Sequence, residues 1–330
     1  MRTLSDNKKK HMHQLSTTDG IIAALAIDQR GALKNMLKKE GYQGDIDAAV
    51  AAFKTLVSEE LTPFASAILL DPEYGLPAAA AKDPHAGLLL AYEQTGYDTT
   101  APGRFPDLIT TMSVKRIKEY GADAVKFLLY YDIDETDDIN DQKHAFVERI
   151  GSECLAEDIP FYLELVSYDA GMTDTSSKAY AIIKPHKVTD MMAEFSKERY
   201  HVDVLKVEVP VNMNYVEGFA ERQEDVVYSR EQALAYFKEQ SAQTKLPFIF
   251  LSAGVSAELF RDTLVFAHEA ESAFNGVLCG RATWKDGVAV YAEKGEQAAR
   301  HWLQTKGRQN IEELNKTLHQ TARSWHDKLN

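Results

Sequence analysis

Apolar and polar positions alternate along the chain in blocks rather than at random. Runs rich in aliphatic and β-branched residues fall at 20–28, 66–70, 86–92, 124–131, 161–166, 203–211, 247–252 and 274–278. Each is of strand length and is bounded by turn residues, the pattern of a buried strand. Between them the period changes. In 45–64 the apolar residues Ile46, Ala49, Val50, Phe53, Val57 and Leu61 recur at helical spacing, and Asp45 is placed to cap the first turn. Helices are likewise expected at 107–120, which stops at Gly121, and at 137–157, 188–197, 231–243, 288–305 and 310–324. Ser256 caps another, with Leu259, Phe260, Leu264 and Ala267 on one face. The segment 168–187 is polar at first and contains Pro185, so it reads as a mobile loop after the fifth strand.

Eight strands alternating with helices is the pattern of a (β/α)₈ TIM barrel, an α/β fold. The whole chain, 1–330, is then one domain, with 1–18 as a polar N-terminal extension. A doubly wound open sheet is the competing arrangement, but no G-x-G-x-x-G follows the first strand. In a barrel the chemistry sits at the C-terminal ends of the strands.

Composition narrows the classes. At 330 residues and 45% hydrophobic content the chain can bury a large core. The net charge of −13 and the lack of a long basic run argue against nucleic acid or an anionic membrane as partner. No apolar run approaches the roughly 18 residues of a spanning helix. The N-terminus lacks the apolar core of a signal peptide. Two cysteines, Cys154 and Cys279, are too few for a disulfide framework, so a cytoplasmic location is expected. The ten histidines show no metal-ligand spacing, and no metal or other cofactor is expected. His11 and His13 read as solvated.

The strands carry unexpected charges. Lys206 lies in the middle of the sixth, on the face shared by Val204 and Glu208. Burial disfavours an ammonium, and a neutral amine can attack a ketone to form a Schiff base. Glu164 sits inside the fifth strand, Lys126 inside the fourth, and Asp28 ends the first. Two acids and two bases at the same end of neighbouring strands suggest a paired polar centre. Lys126 beside Lys206 would make Lys206 harder to charge. Glu164 is placed for the proton transfers of carbinolamine formation, and Asp28 for taking a hydroxyl proton during carbon–carbon cleavage. Ser252-Ala253-Gly254 after the seventh strand and Gly280-Arg281 after the eighth offer backbone N–H groups and a cation, suited to phosphate. Gln29 and Arg30, beside Asp28, are further candidates for substrate contact. Lys184, His186 and Lys187 could face a second phosphate or solvent alike, and Glu208 could be a second acid or a lysine's partner.

Several long stretches carry a family likeness: AIDQRGALK (26–34), LVSEELTPFAS (56–66), LLDPEYGLP (69–77), YEQTGYDTT (92–100), GADAVKFLLYYD (121–132), ERIGSEC (148–154), DVLKVEVPVNM (203–213), SAGVSA (252–257) and FNGVLCGRATW (274–284). With these the chain resembles the class I tagatose-1,6-bisphosphate aldolases of Gram-positive lactose and galactose catabolism. The resemblance implies a barrel that cleaves D-tagatose 1,6-bisphosphate to dihydroxyacetone phosphate and D-glyceraldehyde 3-phosphate. It implies Lys206 as the Schiff-base lysine, Glu164 as its acid/base partner, Asp28 and Lys126 in support, and Arg281 with the Ser252 loop at a phosphate. The partner is thus a small sugar bisphosphate; a homo-oligomer, dimer or larger, is compatible with the chain. The alternatives are a class I aldolase for fructose 1,6-bisphosphate or a sulfo-sugar phosphate, and a metabolite-sensing protein built on the same barrel.

Overall fold

Each of the eight apolar runs folds as a strand in the computed structural model, which describes residues 3–94 and 100–329. The strands are β1 (Ile22–Ala26), β2 (Ala67–Leu70), β3 (Gly87–Ala91), β4 (Ala124–Tyr131), β5 (Phe161–Ser167), β6 (Val204–Val207), β7 (Phe248–Leu251) and β8 (Gly276–Cys279). They pair in parallel, each with the next, and β8 returns to β1, so the sheet is a closed barrel with no free edge. Helices connect successive strands as the alternating pattern requires. Of the stretch YEQTGYDTT, residues 95–99 lie outside the described residues.

Alternation along the strands divides two apolar cores. Leu25, Val125, Phe127, Leu163, Leu205, Val207 and Phe250 face the surrounding helices. Ala24, Ala26, Ala67, Leu69, Leu89, Ala124, Tyr162, Val204, Ile249 and Leu278 fill the barrel interior. The interior is therefore packed in its lower half, and the polar side chains stand above this apolar floor.

Several connections differ from expectation. Residues 3–18 are mostly polar, and His13 is exposed, but the segment packs onto the barrel. Ser5 caps a helix, Asp6–Gln14, whose Met12, with the following Leu15, joins the interior core at the N-terminal end of the barrel. The hydroxyl of Tyr162 donates to Met12 Sδ, and buried Lys8 reaches buried Asp203 at 2.6 Å. His11 pairs with Asp123 at 2.8 Å, and His13 packs edge-on against Trp325. The many lysines of this helix hid its apolar side.

The loop expected at 168–187 is shorter. A helix spans Lys178–Phe195, with Pro185 inside it and Ser177 as N-cap. Proline removes one N–H, yet buried Ala181, Val188, Met191 and Met192 anchor both halves against the barrel. Lys184 and Lys187 consequently point inward. Lys187 is held by Asp132, by Asp134 at 2.7 Å and by Asp169 at 2.9 Å, and Lys184 lies 3.3 Å from Glu208, so carboxylates already occupy the two lysines. The helix expected at 107–120 shrinks to Val114–Glu119, because 107–109 pairs with 92–94 instead: Gln94 N–H donates to Asp107 O and Ile109 N–H to Tyr92 O.

The Lys8–Asp203 pair gives a test. Removing one partner of a buried pair leaves the other charge uncompensated, which costs about 3–5 kcal/mol. Lys8→Ala should lower unfolding stability by about that amount in urea titration. A change as small as that of an exposed surface substitution would show the N-terminal helix to be a dispensable cover.

Candidate active site

Inward alternation delivers four of the site's charges directly. Glu164 and Lys206 are register partners across β5 and β6, and both side chains enter the barrel above Tyr162 and Val204. Lys126 enters from β4, two residues above Ala124. Asp28 lies two residues beyond Ala26 at the end of β1. Lys206 Nζ is 2.7 Å from Glu164 Oε1. Lys126 Nζ is 2.7 Å from Glu164 Oε2 and 2.9 Å from Asp28 Oδ2. A third carboxylate completes the cluster: Glu93 Oε1, just past β3, lies 2.6 Å from the same Nζ.

These groups sit almost out of water, so each charge depends on its neighbours. Burial opposes the ammonium of Lys126, but Asp28, Glu164 and Glu93 outweigh it and hold the group well above its ordinary range. Burial likewise opposes the carboxylates of Asp28 and Glu164, yet Lys126 and Lys206 keep both below theirs. Glu93 behaves differently. Burial raises it, Lys126 only partly offsets this, and the charge of Asp28 adds to the rise. The expectation that Lys126 acts on Lys206 as a bare neighbouring cation needs correction, because the carboxylate of Glu164 lies between the two amines and touches both.

The ends of β7, β8 and β1 form a wall of opposite character. Ser252 and Ala253 line the cavity, with Ala253 at φ 48° and Gly254 at φ 79°. A Cβ on Gly254 would stand 3.0 Å from the Arg281 guanidinium carbon, so the missing side chain is what lets Arg281 lie against this turn. Gly280 likewise admits the carbonyl of Ala26, 2.9 Å from where its Cβ would be, and brings β8 up against β1. Arg281 is exposed at the mouth, and among the described residues no carboxylate lies within ion-pair distance of it. Gln29 also lines the cavity; its buried Oε1 has no hydrogen-bond partner among the described residues. Arg30 lines it as well, but its guanidinium is tied to Glu73 at 2.7 Å and to the Glu93 carbonyl at 2.9 Å. The cavity between the walls has a volume of about 530 Å³. No group of three or more metal-ligating side chains occurs among the described residues.

A barrel with a buried lysine–carboxylate centre facing an arginine and a glycine turn can form a Schiff base and anchor a phosphate. The family model described as "DeoC/LacD family aldolase" matches residues 22–286. The chain belongs to the DeoC/LacD aldolase family. The aldolase is 65% identical to tagatose 1,6-diphosphate aldolase 2 of Enterococcus faecalis, covering all of this chain and 98% of that one. It is 60% identical to the tagatose 1,6-diphosphate aldolase of Streptococcus agalactiae serotype V, covering 98% and 99%. Among solved structures, fructose-bisphosphate aldolase from Plasmodium falciparum superposes with a TM-score of 0.71 at 14% identity, over 98% of each chain, a likeness of fold.

Of the residues singled out from sequence, Asp28, Lys126, Glu164 and Lys206 converge, and Gln29, Arg30, Ser252, Ala253, Gly280 and Arg281 line the same cavity of the aldolase. Gly254 stands behind the wall, against Arg281. Sequence reading missed Glu93, although an acid two residues beyond Ala91, on its face of β3, was a usable signal. Tyr130 and Thr175 also reach the cavity. Glu208 is a buried tie: it accepts from Ser167 N–H at 2.7 Å and Ser167 Oγ–H at 2.6 Å and faces Lys184.

The depressed carboxyl of Asp28 predicts a signed pH dependence. A group whose folded pKa lies below its unfolded value stabilises the fold above the unfolded pKa and loses that contribution as pH falls. The unfolded value for aspartate is about 3.9. The stability gap between wild type and Asp28→Asn should therefore stay constant from about pH 8 to 5 and narrow below about pH 4, as followed by urea midpoints. A gap that widened on acidification would reverse the assignment.

Proposed function

We propose that this aldolase cleaves D-tagatose 1,6-bisphosphate to dihydroxyacetone phosphate and D-glyceraldehyde 3-phosphate through a Schiff base on Lys206, in the lactose and galactose catabolism of the cytoplasm. The observation that carries this reading is the 2.7 Å contact between Lys206 Nζ and Glu164, inside a barrel whose rim offers an arginine with no carboxylate partner among the described residues. The curated relatives, alike over full length, bear the corresponding name.

The steps follow from the groups present. Lys206, as the neutral amine, attacks the C2 ketone, and Glu164 supplies and removes the protons that turn carbinolamine into iminium and water. Asp28, kept ionised by Lys126, takes the proton from the C4 hydroxyl. The C3–C4 bond then breaks, its electron pair moves to the iminium nitrogen as an enamine, and the aldehyde leaves. Protonation at C3 and hydrolysis of the iminium release the triose phosphate and restore the amine. Arg281 and the Ser252-Ala253-Gly254 turn hold a phosphate, which orients the ketone toward Nζ.

Borohydride added with dihydroxyacetone phosphate should reduce the iminium, inactivate the protein and leave the triose on Lys206 in a peptide map. An adduct on another residue, or continued activity, would remove Lys206 from this role.

Two substitutions separate chemistry from positioning. Glu164→Gln should lower kcat by about 10²–10⁴, the usual contribution of a general acid/base, with a smaller effect on KM. Arg281→Ala should act first on KM for phosphorylated substrate. Indistinguishable kinetic patterns for the two variants would refute the division of roles.

A further inference from the structure

We infer that Glu93 is a positioning residue for the cleavage reaction, fixing Lys126 as a permanent cation between Asp28 and Glu164 and tying that cation to the turn after β1. The inference rests on the Schiff-base reading above and assigns a role to a residue outside the proposed lysine and acid/base pair. An ammonium has three N–H groups, and Lys126 finds three carboxylates: Asp28 at 2.9 Å, Glu93 at 2.6 Å and Glu164 at 2.7 Å. Asp28 and Glu93 accept hydrogen bonds from it and Glu164 Oε2 stands beside it as a third counter-charge, so the amine has no reason to release a proton. Its work is therefore to hold Asp28 and Glu164 in place, and the mobile proton stays with Glu164 and Lys206.

Glu93 itself is fully committed. Oε1 takes Lys126, Oε2 accepts the Leu128 N–H at 3.2 Å, and the main-chain carbonyl accepts from Arg30 at 2.9 Å. Its backbone bridges Leu108. Arg30 continues to Glu73, whose N–H is held by Asp71, and Asp71 pairs with buried Lys54 on the helix Ile46–Leu61. A chain of ion pairs and hydrogen bonds thus runs from an outer helix to Lys206, and Glu93 is the link at which side chain and main chain both take part. Neither oxygen of Glu93 is turned to the Schiff-base lysine, whereas Glu164 Oε1 meets Lys206 directly, which is why Glu93 positions rather than reacts.

The charges around Glu93 also set its pH behaviour. It faces Lys126 from β4 and Asp28 and Arg30 from the end of β1; Asp71 and Glu73, in the turn after β2, face Arg30 in turn, and Glu164 and Lys206 stand beyond Lys126. Fully ionised, the two lysines and three carboxylates of the centre carry one net negative charge. Burial makes Glu93 the first of the three carboxylates to protonate as pH falls, and a protonated Glu93 no longer accepts from Lys126. The acid limb of kcat should therefore report Glu93.

The test compares wild type, Glu93→Gln and Glu93→Asp for kcat, KM and the pH profile of kcat. Glu93→Gln keeps shape but cannot ionise. It should lower kcat by about 10²-fold, the scale of a misplaced reacting group, with KM moved far less and the acid limb shifted to lower pH. Glu93→Asp keeps the charge at shorter reach, and should lower kcat while leaving the acid limb in place. An acid limb unchanged in Glu93→Gln, or a kcat equal to wild type in either variant, overturns the inference. If Glu93→Gln does not fold, Glu93→Asp decides alone: loss of its acid limb or an unchanged kcat overturns the role. Borohydride trapping on wild-type Lys206 keeps the two readings apart. Trapping with kinetically normal Glu93 variants removes only this inference, whereas no trapping in wild type removes the Schiff-base reading itself.

Discussion

An ammonium buried where water does not reach must find its counter-charges among the strands that surround it, and the upper half of this barrel is arranged around that need. Lys126 is fully buried, and its three partners come from just past the ends of β1 and β3 and from within β5. Isolated in a low-dielectric interior any one of these charges would neutralise. Lys126 holds Asp28 and Glu164 in their charged forms, and the contacts fix the relative heights of three strands. Glu164 is then available with one oxygen on Lys126 and the other on Lys206.

The same rule holds the connections. The chain is strongly acidic, yet it buries lysines at several places where a loop or helix is fastened to the barrel. Lys54 fastens the turn after β2 through Asp71. Lys187 gathers Asp132, Asp134 and Asp169 and so locks the turns after β4 and β5 to the helix Lys178–Phe195. Lys184 meets Glu208 beside the cavity, and Lys8 meets Asp203 at the floor. Each pair is weak evidence for net stability, since desolvation offsets attraction. What such pairs do supply is a defined geometry, because an unpaired alternative is far worse.

Against this saturated side the other wall is open. Arg281 and the Ala253–Gly254 turn present a cation and positive-φ backbone with no acid paired to them among the described residues.

Much of this was legible before folding. The eight apolar runs set the strands, and period-two alternation placed Lys206 with Val204 and Glu164 with Tyr162 on the inner face, since side-chain direction in a strand is a local property. The strand-end position of Asp28 and the glycines near Arg281 followed from the same local signals. Partner identity is not local. That Glu164 lies between Lys126 and Lys206 depends on the register Glu164↔Lys206, and that Glu93 closes the cluster depends on β3 lying beside β4. The lysine-rich Asp6–Gln14 helix and the proline-bearing Lys178–Phe195 helix looked solvated or broken because burial and a surrounding barrel outweigh weak propensity. The sequence by itself determined which residues point inward, because alternation is set one residue at a time; only the closed barrel decided which charges meet, because pairing is set by strands far apart in the chain.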